Sequence, residues 1–347
     1  MMVYQNRIKR IFIVSMSVML FQGQILIMAH TAWCQTGQEI TPTEVYYLAE
    51  SIDQALVRQY ELSEDAFTKK HISDNLRSRN VYQKALTVVE EFVVLHPNAI
   101  DRNVLLAAQN VDASATQPKD IYALIDRMRV YLEKQERSVS VSGRQSPTVT
   151  DDAYTTSQPA PEQVQTQRET KTPSDVYQML RQITWHHIEI ANKQNITTDW
   201  AAVPRVYEAV VRNILSAVQA MADDARLEYE DYPFPPQPVD GVIPRNIYKI
   251  LTHVYQHITT YYMQTRTYDP LVLIEVNDCD EVTRADVFDL IQVITAELKV
   301  EIGVRDLAAA TAEQYAKWKE THETVVPGHT FRLLQYTYIL TKRVLEN

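Results

Sequence analysis

The residues with the most chemical potential in this chain are histidines and carboxylates that stand close in sequence. His253 and His257 lie four apart in His-Val-Tyr-Gln-His. On a helix that spacing places two imidazoles on one face, where they can supply two metal ligands. No Glu follows the first histidine, so the zinc-protease pattern is missing. The apolar stripe Ile247, Leu251, Val254 and Ile258 runs alongside, and a metal-free place at its border is the expectation. Trp185-His186-His187 precedes Glu189. Successive helical residues point about 100° apart, so one imidazole is expected inside and one outside. The runs Glu228-Tyr-Glu-Asp231 and Asp278-Cys-Asp-Glu281 offer oxygen ligands of the kind Ca²⁺ takes, but lack the alternating, glycine-centred spacing of an EF-hand. They read as solvated acidic loops.

Nucleophilic and phosphate chemistry find no support. There is no Gly-x-Ser-x-Gly, no Walker loop and no Gly-x-Gly-x-x-Gly. Cys279 sits between Asp278 and Asp280, whose negative charge disfavours a reactive thiolate. The sequence therefore leads to a non-enzymatic protein with no catalytic, cofactor-binding or metal residues. The tyrosines are the remaining candidates. Tyr255, Tyr261, Tyr262 and Tyr268 form a cluster that reads as an exposed aromatic contact patch, suited to a glycan or another small ligand.

Tyr46, Tyr82, Tyr122, Tyr177, Tyr207 and Tyr248 belong instead to a recurring phrase. It appears as Thr41-Pro-Thr-Glu-Val-Tyr46, Gln117-Pro-Lys-Asp-Ile-Tyr122, Thr172-Pro-Ser-Asp-Val-Tyr177, Ile243-Pro-Arg-Asn-Ile-Tyr248 and Thr283-Arg-Ala-Asp-Val-Phe288. Looser copies are Arg79-Asn-Val-Tyr82, Pro204-Arg-Val-Tyr207 and Val326-Pro-Gly-His-Thr-Phe331. Thr41 and Thr172 suit a helix N-cap, Pro42 and Pro173 the first helical position, and Glu44 and Asp175 the third, where a carboxylate can bond back to the cap. Each phrase therefore marks a helix start.

Apolar stripes at helical spacing follow every start: Val45, Leu48, Ile52 and Ala55; Val81, Ala85, Val88, Phe92 and Leu95; Ile121, Leu124, Met128 and Tyr131; Val176, Met179, Ile183 and Ile190; Val206, Val210, Ile214 and Met221; Ile247, Leu251, Val254 and Ile258; Val287, Ile291, Ile294 and Leu298; Phe331, Leu334 and Tyr338. Ala115-Thr-Gln117, Tyr232–Pro238 and Leu271–Val276 read as extended straps. Nineteen of the 33 residues from Ser138 to Thr170 are Ser, Thr, Gln or Pro, which leaves too little apolar surface to offset the entropy of ordering.

The expected fold class is all-α: an irregular helical-repeat array in two halves joined by a disordered linker. The boundaries are 35–136 for the first helical domain, 137–171 for the linker and 172–347 for the second. Tyr82-Gln-Lys-Ala-Leu-Thr-Val-Val-Glu-Glu-Phe-Val-Val-Leu-His-Pro97 resembles the second helix of a tetratricopeptide repeat over 16 residues. The tyrosine starts, however, are spaced 36, 40, 55, 30 and 41 residues apart, not a steady 34.

Composition sets the setting. Six glycines in 347 residues are few for folds rich in tight turns. A net charge of −10 argues against a nucleic-acid partner, because such affinity rests on Lys and Arg. Arg7, Lys9 and Arg10 precede an apolar stretch from Ile11 to Met28, the layout of a secretory signal covering residues 1–34, with cleavage after Cys34. An uncleaved membrane anchor is the alternative. The expectation is a periplasmic or secreted envelope scaffold that binds other proteins. A small-ligand or glycan module using the tyrosine patch competes with it.

Overall fold

Seven helix starts use one device. The computed structural model describes residues 39–63, 72–142, 169–196, 203–229, 236–265, 269–277, 281–301, 320 and 324–347. Within them α1 spans Pro42–Tyr60, α2 Ser78–Leu95, α3 Arg102–Gln109, α4 Pro118–Ser142 and α5 Pro173–Lys193. A rod follows, made of α6 Val203–Ala209, a π-helical turn Val210–Leu215 and α7 Ser216–Asp224. The last three are α8 Pro244–Thr265, α9 Arg284–Glu301 and α10 Pro327–Glu346. Among the described residues every regular element is helical, and no strand occurs.

In each of the seven the residue three places after the cap accepts the cap's own backbone N–H. Glu44 does so for Thr41 at 2.9 Å, Asn80 for Arg77 at 2.8 Å, Asp120 for Gln117 at 2.8 Å and Asp175 for Thr172 at 2.8 Å. Asn246, Asp286 and His329 repeat the bond for Ile243, Thr283 and Val326 at 3.0, 2.8 and 3.0 Å. The eighth related start, that of α6, carries Arg205 in the corresponding place, a side chain with no acceptor to offer. The bond satisfies a donor that the first helical turn cannot.

The helices close into two rings. α1 and α2 each pack against both α4 and α5. In the second group α9 and α10 each pack against both α8 and the rod. All four starts of a ring lie at one end. Pro42, Ser78, Pro118 and Pro173 converge there with Val45, Val81, Ile121 and Val176 one turn deeper. Pro244, Arg284 and Pro327 converge likewise with Val206, Ile247, Val287 and Thr330. Four helices that begin together run parallel, so each must be followed by a return the length of the helix. A helix of 20 residues spans about 30 Å, which takes about nine extended residues to retrace. The connections 61–77, 96–117 and 143–172, and 225–243, 266–283 and 302–326, are all long enough. α5, which follows the Ser/Thr/Gln/Pro-rich stretch in sequence, is the fourth member of the first ring. Thr41–Asn347 makes one unit.

The described straps run as follows. Leu271–Val276 is non-helical, and Ile274 N–H donates to the Ile72 carbonyl at 2.9 Å. Of the Ala115–Gln117 strap, Thr116 and Gln117 are non-helical, while Ala115 closes the 3₁₀ turn Ala113–Ala115, where the Asp112 carboxylate accepts from Ser114 N–H at 2.9 Å. α4 continues to Ser142, into the stretch whose composition reads as linker. The rest of that stretch, 143–168, lies outside the described residues, as do residues 1–38 and Tyr232–Pro235.

The stripes form the core, with Ala55 and Tyr131 half-exposed at their edges and with one phase error. In α10 the buried face is Thr330, Leu333, Leu334, Thr337, Thr341 and Val344, while Phe331 and Tyr338 are half-exposed. Thr337 and Thr341 hold core positions there because their hydroxyls bond backward, to the Leu333 and Tyr338 carbonyls, each at 2.8 Å. A polar residue type thus hides the true face.

Gly328 at the start of α10 faces the 236–243 strap. A Cβ there would stand 2.1 Å from the Val239 carbonyl oxygen and 2.6 Å from its nitrogen, both of them backbone atoms. Gly328→Ala is expected to lower stability by about 1–3 kcal/mol, read as a lower urea midpoint. An unchanged midpoint would mean that the strap is not fixed on α10.

Candidate functional site

The densest cluster of buried charge lies where α9 meets α2 and α5. Lys84 Nζ donates to Asp289 Oδ1 at 2.8 Å. Arg181 Nε reaches the other oxygen of Asp289 at 2.7 Å, and Arg181 Nη2 reaches Asp286 Oδ1 at 2.6 Å. Lys84, Arg181, Asp286 and Asp289 are all buried. Farther along α9, Glu297 is wholly enclosed. Arg79 grips it with Nε at 2.8 Å and Nη2 at 2.7 Å, Asn80 Nδ2 adds a bond at 2.9 Å, and Arg77 stands 3.4 Å away.

Burial alone would raise the Asp289 carboxyl, but the charges of Lys84 and Arg181 outweigh it and hold its pKa below the ordinary value. For the Arg181 guanidinium, burial works toward a lower pKa and is outweighed by Asp289, so its pKa lies above the ordinary value. Tyr177, whose hydroxyl donates to the Asp289 carbonyl at 3.4 Å, is pushed well up by burial first and Asp289 second. Every carboxylate oxygen of Asp289 and Glu297 accepts from an internal cation or amide. The arrangement is chemically suited to joining helices and offers no group poised for proton transfer.

The histidines are placed differently from the expectation. His186 and His187 are both buried. His186 Nδ1 lies 2.7 Å from Asp53 Oδ1, and Gln182 supports the second oxygen of Asp53 at 2.8 Å. His187 Nδ1 lies 3.4 Å from Glu91 Oε2. Because α5 packs against both α1 and α2, two adjacent side chains about 100° apart each meet a neighbour. The exposed member of the run is Trp185.

His96, which the sequence did not single out, joins this region. It packs against Phe92, Tyr131 and Tyr60 with ring centroids 4.5, 5.2 and 6.0 Å away. Burial, then the neighbouring His187, lowers its pKa to about 4.

His253 and His257 share one face of α8, and both lie against Tyr338, with ring centroids 6.4 and 4.7 Å away. His253 is exposed, with Nδ1 3.2 Å from Gln256 Oε1. His257 bonds Thr341 Oγ1 at 3.0 Å and stacks on Tyr338 at 4.7 Å. Among the described residues no group of three His, Cys, Asp or Glu could hold a metal ion. Glu228 lends its carbonyl to Arg343 at 2.9 Å, while Glu230, Asp231, Asp278, Cys279 and Asp280 lie outside the described residues.

The tyrosine patch is corrected. Tyr255 and Tyr262 are buried, and the Tyr255 hydroxyl accepts from Leu271 N–H at 3.2 Å. Tyr261 is half-exposed and Tyr268 lies outside the described residues. The stripe of α8 takes Tyr255 and Tyr262 inward at positions continuous with Leu251 and Ile258, so they serve the core. Tyrosine at helix starts behaves as a packing residue. The Tyr82 hydroxyl donates to the Ala108 carbonyl at 3.0 Å, and burial pushes its pKa up to about 12.

No protein-family profile, characterised protein or solved structure matches the chain.

Asp289→Asn leaves Lys84 buried without its counter-charge and is expected to cost about 3–5 kcal/mol. K84M/D289N removes both charges and should recover more than half of that loss in urea unfolding. Equal midpoints for single and double variants would show that the pair is uncoupled. A second outcome concerns pH. His96 titrates near 4 when folded and near 6.5 when unfolded, so the unfolded state binds more protons between those values and stability falls as pH drops from 6.5 to 4. His96→Phe should flatten that slope. A slope unchanged by the substitution would assign it to other groups.

Proposed function

We propose that the chain is an exported, non-catalytic helical scaffold that works by binding other proteins in the cell envelope. The observation that carries this reading is the use made of buried charge. Lys84, Arg181, Arg79, Asp286, Asp289 and Glu297 are consumed in holding α9 against α2 and α5. They tie the two rings into one body, and a stiff body with an extended outer surface suits partner binding more than chemistry.

The eight related starts and the common ring order favour origin of the second group by duplication of the first. In each group two helices both face the same other two. A repeat array of this closed kind presents two related outer surfaces. Export is supported by Arg7, Lys9 and Arg10 ahead of the apolar Ile11–Met28 stretch. Retention of residues 1–34 would anchor the chain in the inner membrane, and cleavage would free it. Among the described residues no helix is long and apolar enough to cross a membrane. The formal charge of −10 disfavours nucleic acid as a partner.

The test is affinity capture of the tagged full-length chain from its native envelope, with mass spectrometry of its own N-terminus. The expected outcome is a stoichiometric envelope protein together with an N-terminus near Gln35. A processed chain that is captured alone, with and without cross-linking, would overturn the scaffold reading.

A further inference from the structure

The two rings differ at the mouths where their helices start. In the second, the starts of α6, α8, α9 and α10 surround a cavity of about 220 Å³, while the same place in the first holds about 10 Å³. Smaller side chains are not the cause. One turn into the first ring stand Val45, Val81, Ile121 and Val176. Their counterparts in the second are Val206, Ile247, Val287 and Thr330, and threonine branches at Cβ as valine does. With matching side chains, the space comes from helices that stand farther apart.

The rod supplies a local reason. One turn below Val206 it enters the π-helical turn Val210–Leu215. The extra residue of such a turn rotates the segment above it by about 100° against the helix below. Turns of this kind are rare and recur at functional sites. Among the described residues of the first ring there is none.

What the space can hold follows from its lining. Val206, Ile247 and Val287 form the walls, and the half-exposed Pro244 and Pro327 form the rim. Two polar residues belong to the described lining, and neither offers a contact. The Thr330 hydroxyl is enclosed and has no surface toward the cavity, and Arg284 is engaged in an interaction of its own. A held water needs two to four polar partners, which these walls do not supply. A charged or hydrogen-bonding ligand would give up its contacts with water without replacing them. Outside the rim the same character continues. Ile243 and Val326, at the caps of α8 and α10, are 49% and 38% exposed, where the first ring has Thr41, Arg77, Gln117 and Thr172.

We infer that the second mouth binds a small, uncharged and wholly apolar molecule, of the class of a monoalkylbenzene. An apolar cavity of roughly 150 Å³ stays dry and accepts benzene, so about 220 Å³ has room for an aromatic ring with one substituent. The ligand lies among Val206, Ile247 and Val287, held by dispersion and by the removal of apolar surface from water. This site is independent of the scaffold reading, since ligand binding and partner capture are read separately.

Toluene is the probe, titrated calorimetrically into the full-length chain, with benzoate as a comparison of similar shape that carries a charge. One saturable toluene site is expected, with a dissociation constant on the order of 0.1–1 mM for a ligand of this size. Benzoate should bind at least about 10-fold more weakly. Val206→Phe fills the cavity and should abolish toluene binding, with circular dichroism establishing that the variant is folded. Should that variant fail to fold, Val287→Leu, which adds a single methylene, should weaken toluene at least about 5-fold. Absence of saturable toluene binding would overturn the inference. So would benzoate binding as tightly as toluene, or toluene binding indifferent to the cavity-filling variant.

Discussion

Everything in this fold follows from starting four helices at one end. Parallel helices align their macrodipoles, each equivalent to about half a positive charge at its start, so a ring gathers these like ends side by side. In the first ring Glu44, Asp120 and Asp175 lie at that end and bond the cap N–H groups. They satisfy orphan donors and place negative charge against the positive ends in a single act. Proline at the first helical position removes a donor that would otherwise need a partner. Beneath them Val45, Val81, Ile121 and Val176 meet as an apolar layer. The recurring phrase is thus the local solution to one electrostatic and one hydrogen-bonding problem, posed by every helix of the ring.

Parallel running also explains the seam. A ring of four amphipathic helices buries its inner face by itself, and joining two rings requires an outer face that recognises only its counterpart. Apolar residues there would associate with many surfaces. The side chains chosen instead are Arg79 and Lys84 on α2, Arg181 on α5, and Asp286, Asp289 and Glu297 on α9, paired at 2.6–2.8 Å where the bonds are closest. Such pairs contribute little net stability against a hydrophobic replacement, but a mismatched docking would leave charges buried alone at several kcal/mol each. Specificity is what the seam adds, and it fits a body whose two rings must meet in one register.

What is legible in the sequence divides along the same lines. The helix starts are readable because capping is local: Thr172 and Asp175 are three residues apart, and their bond depends on nothing else in the chain. Most stripes are readable because period and residue type agree, and α10 fails because Thr330, Thr337 and Thr341 carry its core face. Closure into rings is not readable. Lys84 and Asp289 are 205 positions apart, and no spacing rule links them. His186 and His187 show the same limit at short range. The angle between them holds, but only the fold shows that α5 has α1 on one side and α2 on the other. Tyr255 and Tyr262 read as surface because they stand off any cap, yet their positions continue the α8 stripe.

The eight starts allow a comparison between the two groups within one chain. The bond from the third position back to the cap recurs in seven of them. A β-branched residue stands one turn in at every start, and an aromatic ring follows it each time, from Tyr46 and Tyr82 to Phe288 and Phe331. These are the requirements of starting a helix in a parallel ring, and they hold in both groups. The capping residues and the charge at the third positions do not hold. At two starts of the second group they become Ile243 with Asn246 and Val326 with His329, while Thr283 and Asp286 keep the threonine–carboxylate pair at a third, and a cavity of about 220 Å³ stands where the first group leaves about 10 Å³. If folding alone governed these positions, the polar caps would serve the second ring as well as the first, since a threonine or aspartate cap is better than isoleucine or valine by about 1 kcal/mol. A mouth that gives up that stability and leaves Ile243 half in water is shaped by something other than helix initiation.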